Sequence, residues 1–492
     1  DGIPNILLKK LCGQLALPLS HIFTISFNSQ QVPDDWKHAH VKPLFKNGVA
    51  SDPNNYRPIS LTSTCCRVME RIINKELIDY LLDKSLVSKE QHGFIRRRST
   101  CSNLLECLQD WMLSIDNKRI TDVIYIDFKK AFDQVSHNKL LLKLNSYGIT
   151  GDLYGWIKSF LSNRTQAVKL DGCLSSVIAI LSGVPQGSVL GPILFVLFIN
   201  DLVDCFKNLA VSTKLFADDL KLYTSYGLTD SSCDLTEALH RVTVWAKKWQ
   251  LTINSTKCNV LRIVNPRCKN KSDIVYDLNG SSLKVLSVVK DLGVAVDKNL
   301  RFDNHISSVV HKSLQRANLI LKCFQSRDRS LLMKAFKVYV RPLLEYATPV
   351  WSPHFMYLIL KIEHVQRSFT KRLFGLKNLT YIDRLKQLEI DTLERRRLIY
   401  DLCTCFKIIH GYNDTCLDMN RMHLEGRPNN TRGHNLKLAK EMCRTDMLRF
   451  FFCNRICTVW NSLPLDVVNA PSVNSFKKRV SKFNLDRFLT LK

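Results

Sequence analysis

The chain has 492 residues, and 45% of them are hydrophobic, which is enough for packed cores and excludes a wholly disordered protein. Its 71 lysine and arginine residues outnumber 44 aspartate and glutamate residues, giving a formal net charge of +27. This excess predicts a polyanionic partner, either nucleic acid or an anionic membrane surface.

We expect neither a membrane-spanning helix nor a signal peptide in this sequence. It has no apolar run of about 18 residues, the length that a membrane-spanning helix needs. Residues 1–4 have neither the basic nor the apolar region of a signal peptide, and the first residue is not methionine, so we expect a fragment of a longer protein. The 17 cysteines follow no regular framework and predict reduced thiols in an intracellular protein.

One group of residues has the order of a small zinc knuckle: Cys403, Cys405, His410 and Cys416. An apolar helical pattern runs through the first two cysteines, and residues two apart do not share a helix face. The spacing is also tighter than that of common zinc sites. Buried thiols are therefore favoured over a zinc site.

The first 100 residues predict helices around a basic strand. Apolar residues over 6–27 indicate one or two helices, and alternating basic and apolar residues over 36–46 indicate a strand with a cationic face that includes Lys42. A turn-rich loop follows and carries Arg57. Residues 63–82 form an amphipathic pattern, and the inner face of that helix would carry Val68, Ile72, Ile73, Leu77 and Leu81.

Three consecutive arginines, Arg96, Arg97 and Arg98, stand between an aromatic residue and a helix-capping Ser-Thr pair. Such a run is either a solvated surface or a track for phosphate groups, and the sequence leaves both open. The pattern over 100–115 then predicts a helix.

Carboxylates follow two predicted strands. The apolar run 123–126 ends at Asp127, and residues 128–133 are expected to turn the chain into a new helix. Residues 214–223 alternate about an Asp218-Asp219 turn, which predicts a hairpin. Taken alone, two adjacent aspartates are more often only a turn. If the strand pairs beside the hairpin, the three carboxylates converge and can hold two Mg²⁺ ions about 3.5–4 Å apart, which predicts metal-assisted nucleotidyl transfer.

A loop rich in glycine and proline, residues 181–192, lies between these elements and leads into an apolar helix at 193–199. Small residues around Gln186 allow the backbone to approach a phosphate or a base closely. Further on, the patterns predict an amphipathic helix at 234–249, strands at 260–263 and 287–289, and helices from His305 onward. The region 330–492 is basic, and its charge clusters lie at 371–372, 395–397 and 477–479.

Several blocks, in order, resemble the motifs of reverse transcriptases, most closely those of non-LTR (LINE-type) retrotransposons of the CR1/jockey-like branch. The resemblance covers essentially the whole chain, and these blocks carry it: residues 1–4, 55–61, 91–94, 125–133, 185–192, 216–219, 291–294 and 341–347. It implies an α+β right-hand polymerase with fingers, a palm that holds a small antiparallel sheet, a thumb and a mostly helical C-terminal region. The implied divisions are 1–120 for the N-terminal part of the fingers, 121–230 for the palm with part of the fingers, 231–330 for the palm end and thumb, and 331–492 for the C-terminal region.

The resemblance also implies roles for single residues. Asp127 and Asp218 would be the main metal ligands, and Asp219 would complete the carboxylate set. Phe132 would lie beneath the incoming sugar and exclude a 2′-hydroxyl. The other implied contacts are to the nucleotide, from Gln186, Phe128, Lys42 and Arg57, and to nucleic acid, from Arg96, Arg97, Arg98, Gly187 and Gly293.

The implied activity is RNA-directed DNA synthesis with two Mg²⁺ ions, or Mn²⁺ in their place. Its partners would be template RNA, target DNA as primer, dNTPs and an upstream endonuclease domain, without a membrane. Nuclear synthesis after cytoplasmic ribonucleoprotein assembly is implied as well. Two alternatives stay open: a catalytically inactive RNA-binding remnant of a decayed element, and a group II intron maturase, which fits residues 91–94 and the C-terminal region poorly.

Overall fold

The computed structural model of the chain describes residues 3–227, 233–265, 274–415, 417 and 434–491. Its strands are β1 (His38–Phe45), β2 (Tyr56–Leu61), β3 (Ile120–Ile126), β4 (Arg164–Leu170), β5 (Cys173–Leu174), β6 (Ile178–Ile180), β7 (Ser212–Phe216), β8 (Asp219–Tyr226), β9 (Asn259–Ile263), β10 (Asp277–Leu278), β11 (Ser281–Ser282), β12 (Lys284–Leu286), β13 (Val288–Asp291) and β14 (Val294–Asp297).

The α-helices of the first half are α1 (Asn5–Lys10), α2 (Cys12–Asn28), α3 (Asp34–Lys37), α4 (Thr64–Asp83), α5 (Thr100–Asp116), α6 (His137–Ser146), α7 (Gly151–Leu161), α8 (Gly191–Ile199) and α9 (Cys233–Trp249). Those that follow are α10 (Asp303–Cys323), α11 (Arg329–Ala335), α12 (Arg341–Glu345), α13 (Thr348–Trp351), α14 (Met356–Lys371), α15 (Tyr381–Gln387), α16 (Leu393–Ile409), α17 (Asp446–Arg449), α18 (Phe452–Asn461), α19 (Leu465–Val468) and α20 (Val473–Lys482). The expected α+β class and the mostly helical C-terminal region are confirmed.

The palm sheet has five strands in the order β12-β9-β3-β8-β7. Its central strand, β3, pairs antiparallel with β8 through Ile126 opposite Leu220 and with β9 through Ile124 opposite Val260. The apolar run 123–126 predicted this strand correctly because both faces of a central strand are covered, although β3 also contains the buried polar residues Thr121 and Asp122. The sequence analysis expected an antiparallel sheet, but the sheet is mixed, because β12 joins β9 in parallel.

A second sheet, the fingers sheet, has the order β2-β1-β4-β5, and β6 also pairs with β4. It combines strands that precede β3 with strands that follow it. Lys42 lies opposite Ile59 and Leu44 lies opposite Arg57, so Lys42 and Arg57 project from the same face. The expected cationic strand is therefore present, and its charges share that face with an arginine from β2.

Two hydrophobic clusters form the core. One contains Met69, Phe198 and Val242 and lies beneath the palm and fingers. The other, which we call the posterior core, runs from Trp111 of α5 through the β13–β14 hairpin to Trp460 of α18. The expected division at residue 330 falls within the posterior core, so the C-terminal helices and the palm share packing.

Two further predictions of local structure differ from what the chain adopts. Ile72, expected on the inner face of α4, is 55% exposed because it borders an open apolar groove of about 720 Å³ between α2 and α4. Residues 128–133 were expected to enter a helix, but the chain forms only a short 3₁₀ turn at Ala131–Gln134 after Lys130 takes a left-handed φ of +43°. A left-handed residue interrupts a right-handed helix.

The prediction of buried thiols is confirmed for Cys403 and Cys405, which lie inside α16 and are buried. Cys416 lies outside the described residues. The imidazole of His410 is within 3.0 Å of the Val468 carbonyl oxygen. The cysteines that the structure describes are free. Among the described helices, none is both long and apolar enough to cross a membrane.

Candidate active site

The Asp218-Asp219 pair lies at the turn of the β7–β8 hairpin. Phe216 and Asp219 form the last opposed pair of the two strands, so Ala217 and Asp218 make a two-residue turn. Ala217 takes a left-handed φ of +56°. Asp127 directly follows β3, whose last residue lies opposite Leu220, so the register brings Asp127 beside the same turn. The convergence predicted from the sequence is present.

The pKa values of the carboxyl groups indicate that they repel one another. Burial raises the pKa of Asp218, and the negative charge of Asp127 raises it further. The pKa of Asp219 is raised to about 6, first because protein atoms displace water around the carboxyl and then by the charges of Asp218, Asp291 and Asp127. Asp219 is exposed as a residue. Its carboxyl nevertheless lies within range of three other negative charges, because these charges raise its pKa. A bound cation would relieve this repulsion.

Among the described residues, no group of three or more histidine, cysteine, aspartate or glutamate side chains is arranged to hold a metal ion. The expected three-carboxylate set is thus not assembled as a closed protein site. The pair Asp127 and Asp218 nevertheless fits Mg²⁺, which takes one or two carboxylates and completes its shell with water and substrate phosphates. The assignment of metal ligands stays a prediction.

Asn254 holds the first of these carboxylates. Its side-chain Nδ2 donates to Asp127 Oδ2 at 3.1 Å, and its backbone N–H donates to the Asp127 carbonyl at 2.8 Å. Thr256 donates to Asn254 Oδ1 at 2.8 Å, which fixes the orientation of the amide. The sequence analysis did not find this residue, since it lies in a loop before β9 without a distinctive pattern.

Gln91 and Gly93 hold the hairpin turn from the other side. Gln91 is fully buried, and its Oε1 accepts hydrogen bonds from the backbone N–H groups of Ala217 (2.9 Å) and Gly93 (2.8 Å). A Cβ atom on Gly93 would lie 2.3 Å from the Ala217 nitrogen. The block 91–94, recognised only by resemblance, therefore supports the turn of the β7–β8 hairpin directly.

Behind the hairpin lies a buried charge network. Lys214 of β7 is 2.5 Å from Glu106 of α5, and His92 is 3.4 Å from the same carboxylate. Burial alone would raise the pKa of Glu106, but the hydrogen bonds and charges of His92 and Lys214 outweigh it and lower the pKa to about 2. The carboxylate is therefore ionised and ties β7 to the helix behind it.

The ring of Phe132, expected from the resemblance to lie beneath the incoming sugar, is packed on one face and contacted at its edge. One face of its ring stacks on Phe195, with centroids 4.2 Å apart and an interplanar angle of 13°, and its edge contacts Phe94 at 6.2 Å. The ring is half-buried. Phe128, by contrast, is 4% exposed and packs against Trp245, so its side chain belongs to the core and does not line the cleft.

The Gln186 loop is fastened at three points. Gln186 Nε2 donates to Asp133 Oδ1 at 2.8 Å, and its carbonyl accepts from the Ser60 N–H at 2.6 Å. From behind, buried Glu70 accepts the N–H groups of Val189 (2.7 Å) and Leu190 (3.0 Å). These contacts join the loop to both the palm and the fingers sheet.

Gly187 lies next to this attachment. It takes a φ of +118°, and a Cβ atom there would be 2.5 Å from the Ser60 carbonyl oxygen, so only glycine fits. Gly187 is exposed. The proposed nucleic-acid contact at Gly187 stays a prediction.

Cations of the fingers sheet face the carboxylates. The positive charges of Lys46 and Arg57 act on Asp218 and oppose the rise of its pKa. Lys42 and Arg57 are exposed and share one face of the sheet. Lys46, which the sequence analysis overlooked, lies just beyond β1 on that face. The contacts of Lys42 and Arg57 with a triphosphate stay predictions.

The three consecutive arginines have different environments. Arg98 is bound within the protein: its Nη1 donates to the carbonyls of Ser88 (2.6 Å) and Gln91 (2.7 Å), and Nη2 is 3.0 Å from Asp414. Arg96 pairs with Asp79 at 2.5 Å on the surface, and Arg97 is exposed. Of the three, Arg96 and Arg97 remain candidates for phosphate contacts.

The β13–β14 hairpin reaches the site through a buried ion pair. Lys221 Nζ lies 2.9 Å from Asp291 Oδ2, and both residues are at least 96% buried, with 2% and 4% of their side chains exposed. Lys221 lies two residues after Asp219 on β8. The hairpin turn at Leu292 and Gly293 is therefore held beside the carboxylates, and Gly293 is exposed at its tip.

Comparison with known proteins identifies the family. The family model described as reverse transcriptase (RNA-dependent DNA polymerase) matches residues 44–296. The probable RNA-directed DNA polymerase from transposon BS of Drosophila melanogaster is 30% identical over 370 residues, which are 72% of this chain and 40% of that protein. The RNA-directed DNA polymerase from mobile element jockey of the same fly is 29% identical over 385 residues, covering 76% of this chain and 42% of that protein.

The chain thus spans about two fifths of the length of these curated relatives. Among solved structures, apo telomerase from Candida tropicalis is similar at a TM-score of 0.39 and 13% identity, with 59% of each chain covered, which is too weak to support an argument. The family expected from the motifs is confirmed by the sequence comparisons.

Proposed function

Since the chain belongs to the reverse transcriptase family, we propose that it is the RNA-directed DNA polymerase of a non-LTR retrotransposon of the jockey-like kind. One observation carries the proposal: Asp127 and the Asp218-Asp219 turn meet at the end of the palm sheet, opposite the cationic face of the fingers. An RNA-binding remnant would need the cations but not the carboxylates.

The reaction is attack of a primer 3′-hydroxyl on the α-phosphate of a dNTP, which forms a phosphodiester bond and releases pyrophosphate. Divalent ions held by Asp127 and Asp218 would neutralise phosphate charge and lower the pKa of the attacking hydroxyl. Lys42, Lys46 and Arg57 bind the triphosphate. Phe132 lies beneath the sugar, and the Gln186 loop closes the nucleotide pocket, both held by the contacts described above.

The partners follow from the activity. Template RNA lies along the basic fingers and palm, target DNA supplies the primer, and dNTPs are the substrates. An upstream endonuclease domain would nick the target, and synthesis would take place in the nucleus after cytoplasmic ribonucleoprotein assembly. The net charge of +27 suits polyanionic partners of this kind.

Primer extension on an RNA template with Mg²⁺ tests the proposal. We expect Asp218→Asn to abolish extension and to leave RNA affinity nearly unchanged, because it removes charge at the metals and not in the basic groove. Asp171→Asn, which removes the same charge from an exposed turn between β4 and β5, should extend primers like the parent.

The outcomes separate the two readings of the chain. Extension by Asp218→Asn at the parental rate would contradict the assignment of this carboxylate. A parent that binds RNA tightly and extends no primer would support the inactive remnant instead.

A further inference from the structure

The β13–β14 hairpin has a tight turn of defined conformation. Asp291 lies opposite Val294, and Leu292 and Gly293 between them both take positive φ, +43° and +90°. Two residues with positive φ are the mark of a type I′ turn, in which a non-glycine residue such as Leu292 is strained. The turn therefore needs outside contacts to keep its shape.

Tyr346 supplies such contacts from the C-terminal side of the chain. Its Oη donates to the Leu292 carbonyl at 2.8 Å and is 3.1 Å from Thr100 Oγ1 at the start of α5. Its ring covers Gly293, because a Cβ atom there would be 3.1 Å from Tyr346 Cε1. One side chain thus joins the turn to the helix behind the catalytic hairpin.

The backbone of Tyr346 is itself fixed on both sides. Its carbonyl accepts a hydrogen bond from the Trp351 indole N–H at 2.8 Å. The preceding residue, Glu345, pairs with Arg396 of α16 and with Arg341. Tyr346 lies beyond residue 296, where the match to the family model ends. The contact is therefore made by a region of the chain that the match does not cover.

The position of the turn gives this contact a consequence for nucleic acid. The Lys221–Asp291 ion pair holds the turn beside Asp219, and Gly293 is exposed at the tip on the side that the Tyr346 ring does not contact. A strand that is extended at its 3′ end must end beside the carboxylates. The exposed tip of the turn lies on the side of the sheet where Asp219 and Asp291 act on each other, so it is placed to contact the backbone of that strand end.

We infer that Tyr346 is a positioning residue for the primer: through the Leu292-Gly293 turn, the C-terminal region fixes where the primer terminus is held against the catalytic carboxylates. This inference rests on the proposed polymerase activity. It assigns the helices after residue 330 a part in primer binding, in addition to their packing in the posterior core.

Two measurements on Tyr346→Phe test the inference. The variant keeps the ring and removes only the hydroxyl, so it should fold. We expect the KM for the primer–template to rise about fivefold, the change that corresponds to one lost hydrogen bond, while the KM for the dNTP and kcat stay within about twofold. Amide hydrogen exchange of peptides over 288–297 should become faster. Tyr339→Phe, at a tyrosine that is 56% exposed, is the matched control and should change neither quantity.

Each result decides the question. An unchanged primer KM in an active Tyr346→Phe variant would overturn the inference and leave the proposed function intact. Equal changes in both KM values would also overturn it, since they would indicate a general structural effect. If the parent extends no primer, the proposed function fails, and unchanged hydrogen exchange at 288–297 would show that Tyr346 does not hold the turn either.

Discussion

At the scale of single residues, the position of the Phe132 ring is restrained by two other aromatic rings. The ring is stacked on fully buried Phe195 and contacted at its edge by Phe94, and both contacts restrict its rotation. Phe94 itself takes a left-handed φ of +61°, an unusual conformation for a bulky residue. The role of the ring as a gate against a 2′-hydroxyl stays a prediction.

Phe132→Val tests that role. The smaller side chain should admit ribonucleotides, and the ratio of kcat/KM for dNTP over rNTP should fall by about tenfold or more. Phe374→Val, the same change at a site that is 69% exposed, should leave the ratio unchanged. An identical ratio in Phe132→Val and the parent would show that the ring is ordinary packing and that sugar selection lies elsewhere.

The arginine run separates nucleic-acid binding from stability. Arg97→Ala should reduce the slope of log K against log salt by about one unit if its guanidinium neutralises one phosphate. Arg98→Ala should leave that slope unchanged and lower the free energy of unfolding by about 1–3 kcal/mol, because it leaves buried carbonyl groups without a donor. Salt titrations of RNA binding and denaturant unfolding measure the two effects. A changed salt slope in Arg98→Ala together with an unchanged slope in Arg97→Ala would contradict the assignment of Arg98 to the interior and of Arg97 to the nucleic-acid surface.

The sequence predicted which residues form the candidate site only where they belong to short motifs. Asp127, Asp218 and Asp219 could be named from their positions at strand ends. Arg97 and Arg98 could not be told apart, because the difference depends on carbonyl acceptors and on Asp414, more than 300 positions away. Asn254 was missed for the same reason, since its partner Asp127 is 127 positions distant.

At the scale of elements, the Ala217-Asp218 turn of the β7–β8 hairpin depends on residues 91–93 for its position. Gly93→Ala places a Cβ atom against the Ala217 backbone nitrogen, and neither backbone is free to retreat. We expect kcat to fall at least about tenfold with RNA affinity preserved, since a displacement near 1 Å is enough for a loss of this order. Steady-state primer extension measures it.

Gly13→Ala provides the control for this substitution. A Cβ atom at Gly13 in α2 would have nothing within 4 Å, so the variant should extend primers like the parent. Parental activity in Gly93→Ala would mean that the 91–94 segment does not set the position of the turn.

Periodicity predicted the elements better than their partners. The strand β3, the β7–β8 hairpin and helix α5 were all found, because each has a clear repeat and defined ends. The parallel pairing of β12 with β9 left no local signal. The helix expected after Asp127 was wrong because the segment is held by tertiary contacts, including the hydrogen bond from the Val184 N–H to the Phe132 carbonyl at 2.9 Å.

At the scale of the whole molecule, the posterior core makes palm and C-terminal helices one packing unit. His305 lies at their junction: it is 5% exposed, its Nδ1 accepts the Ala295 N–H at 3.2 Å, and its ring contacts Trp351 at 5.1 Å. Burial, and then the charge of Lys312, lower the pKa of His305 to about 4. The imidazole is therefore neutral in the folded chain at neutral pH.

Acid should lower the free energy of unfolding through His305. The unfolded chain takes up the proton near pH 6.5 and the folded chain only near pH 4, so stability is fully present above 6.5 and is lost as pH falls toward 4. The loss from this group is at most about 3 kcal/mol. Denaturant unfolding at several pH values should show that His305→Gln has a shallower decline than the parent. Equal slopes would mean that the imidazole already titrates normally in the folded chain.

The strand order of the palm sheet also constrains when the sheet can fold during synthesis of the chain. Its central strand β3 ends at Ile126, yet its partners β8 and β9 end 100 and 137 residues later, at Tyr226 and Ile263. At a synthesis rate of about 5–20 residues per second, the first partner emerges from a ribosome roughly 5–20 s after β3. During that interval β3 has two open hydrogen-bonding edges, so the centre of the palm sheet can close only after more than 100 further residues have been synthesised.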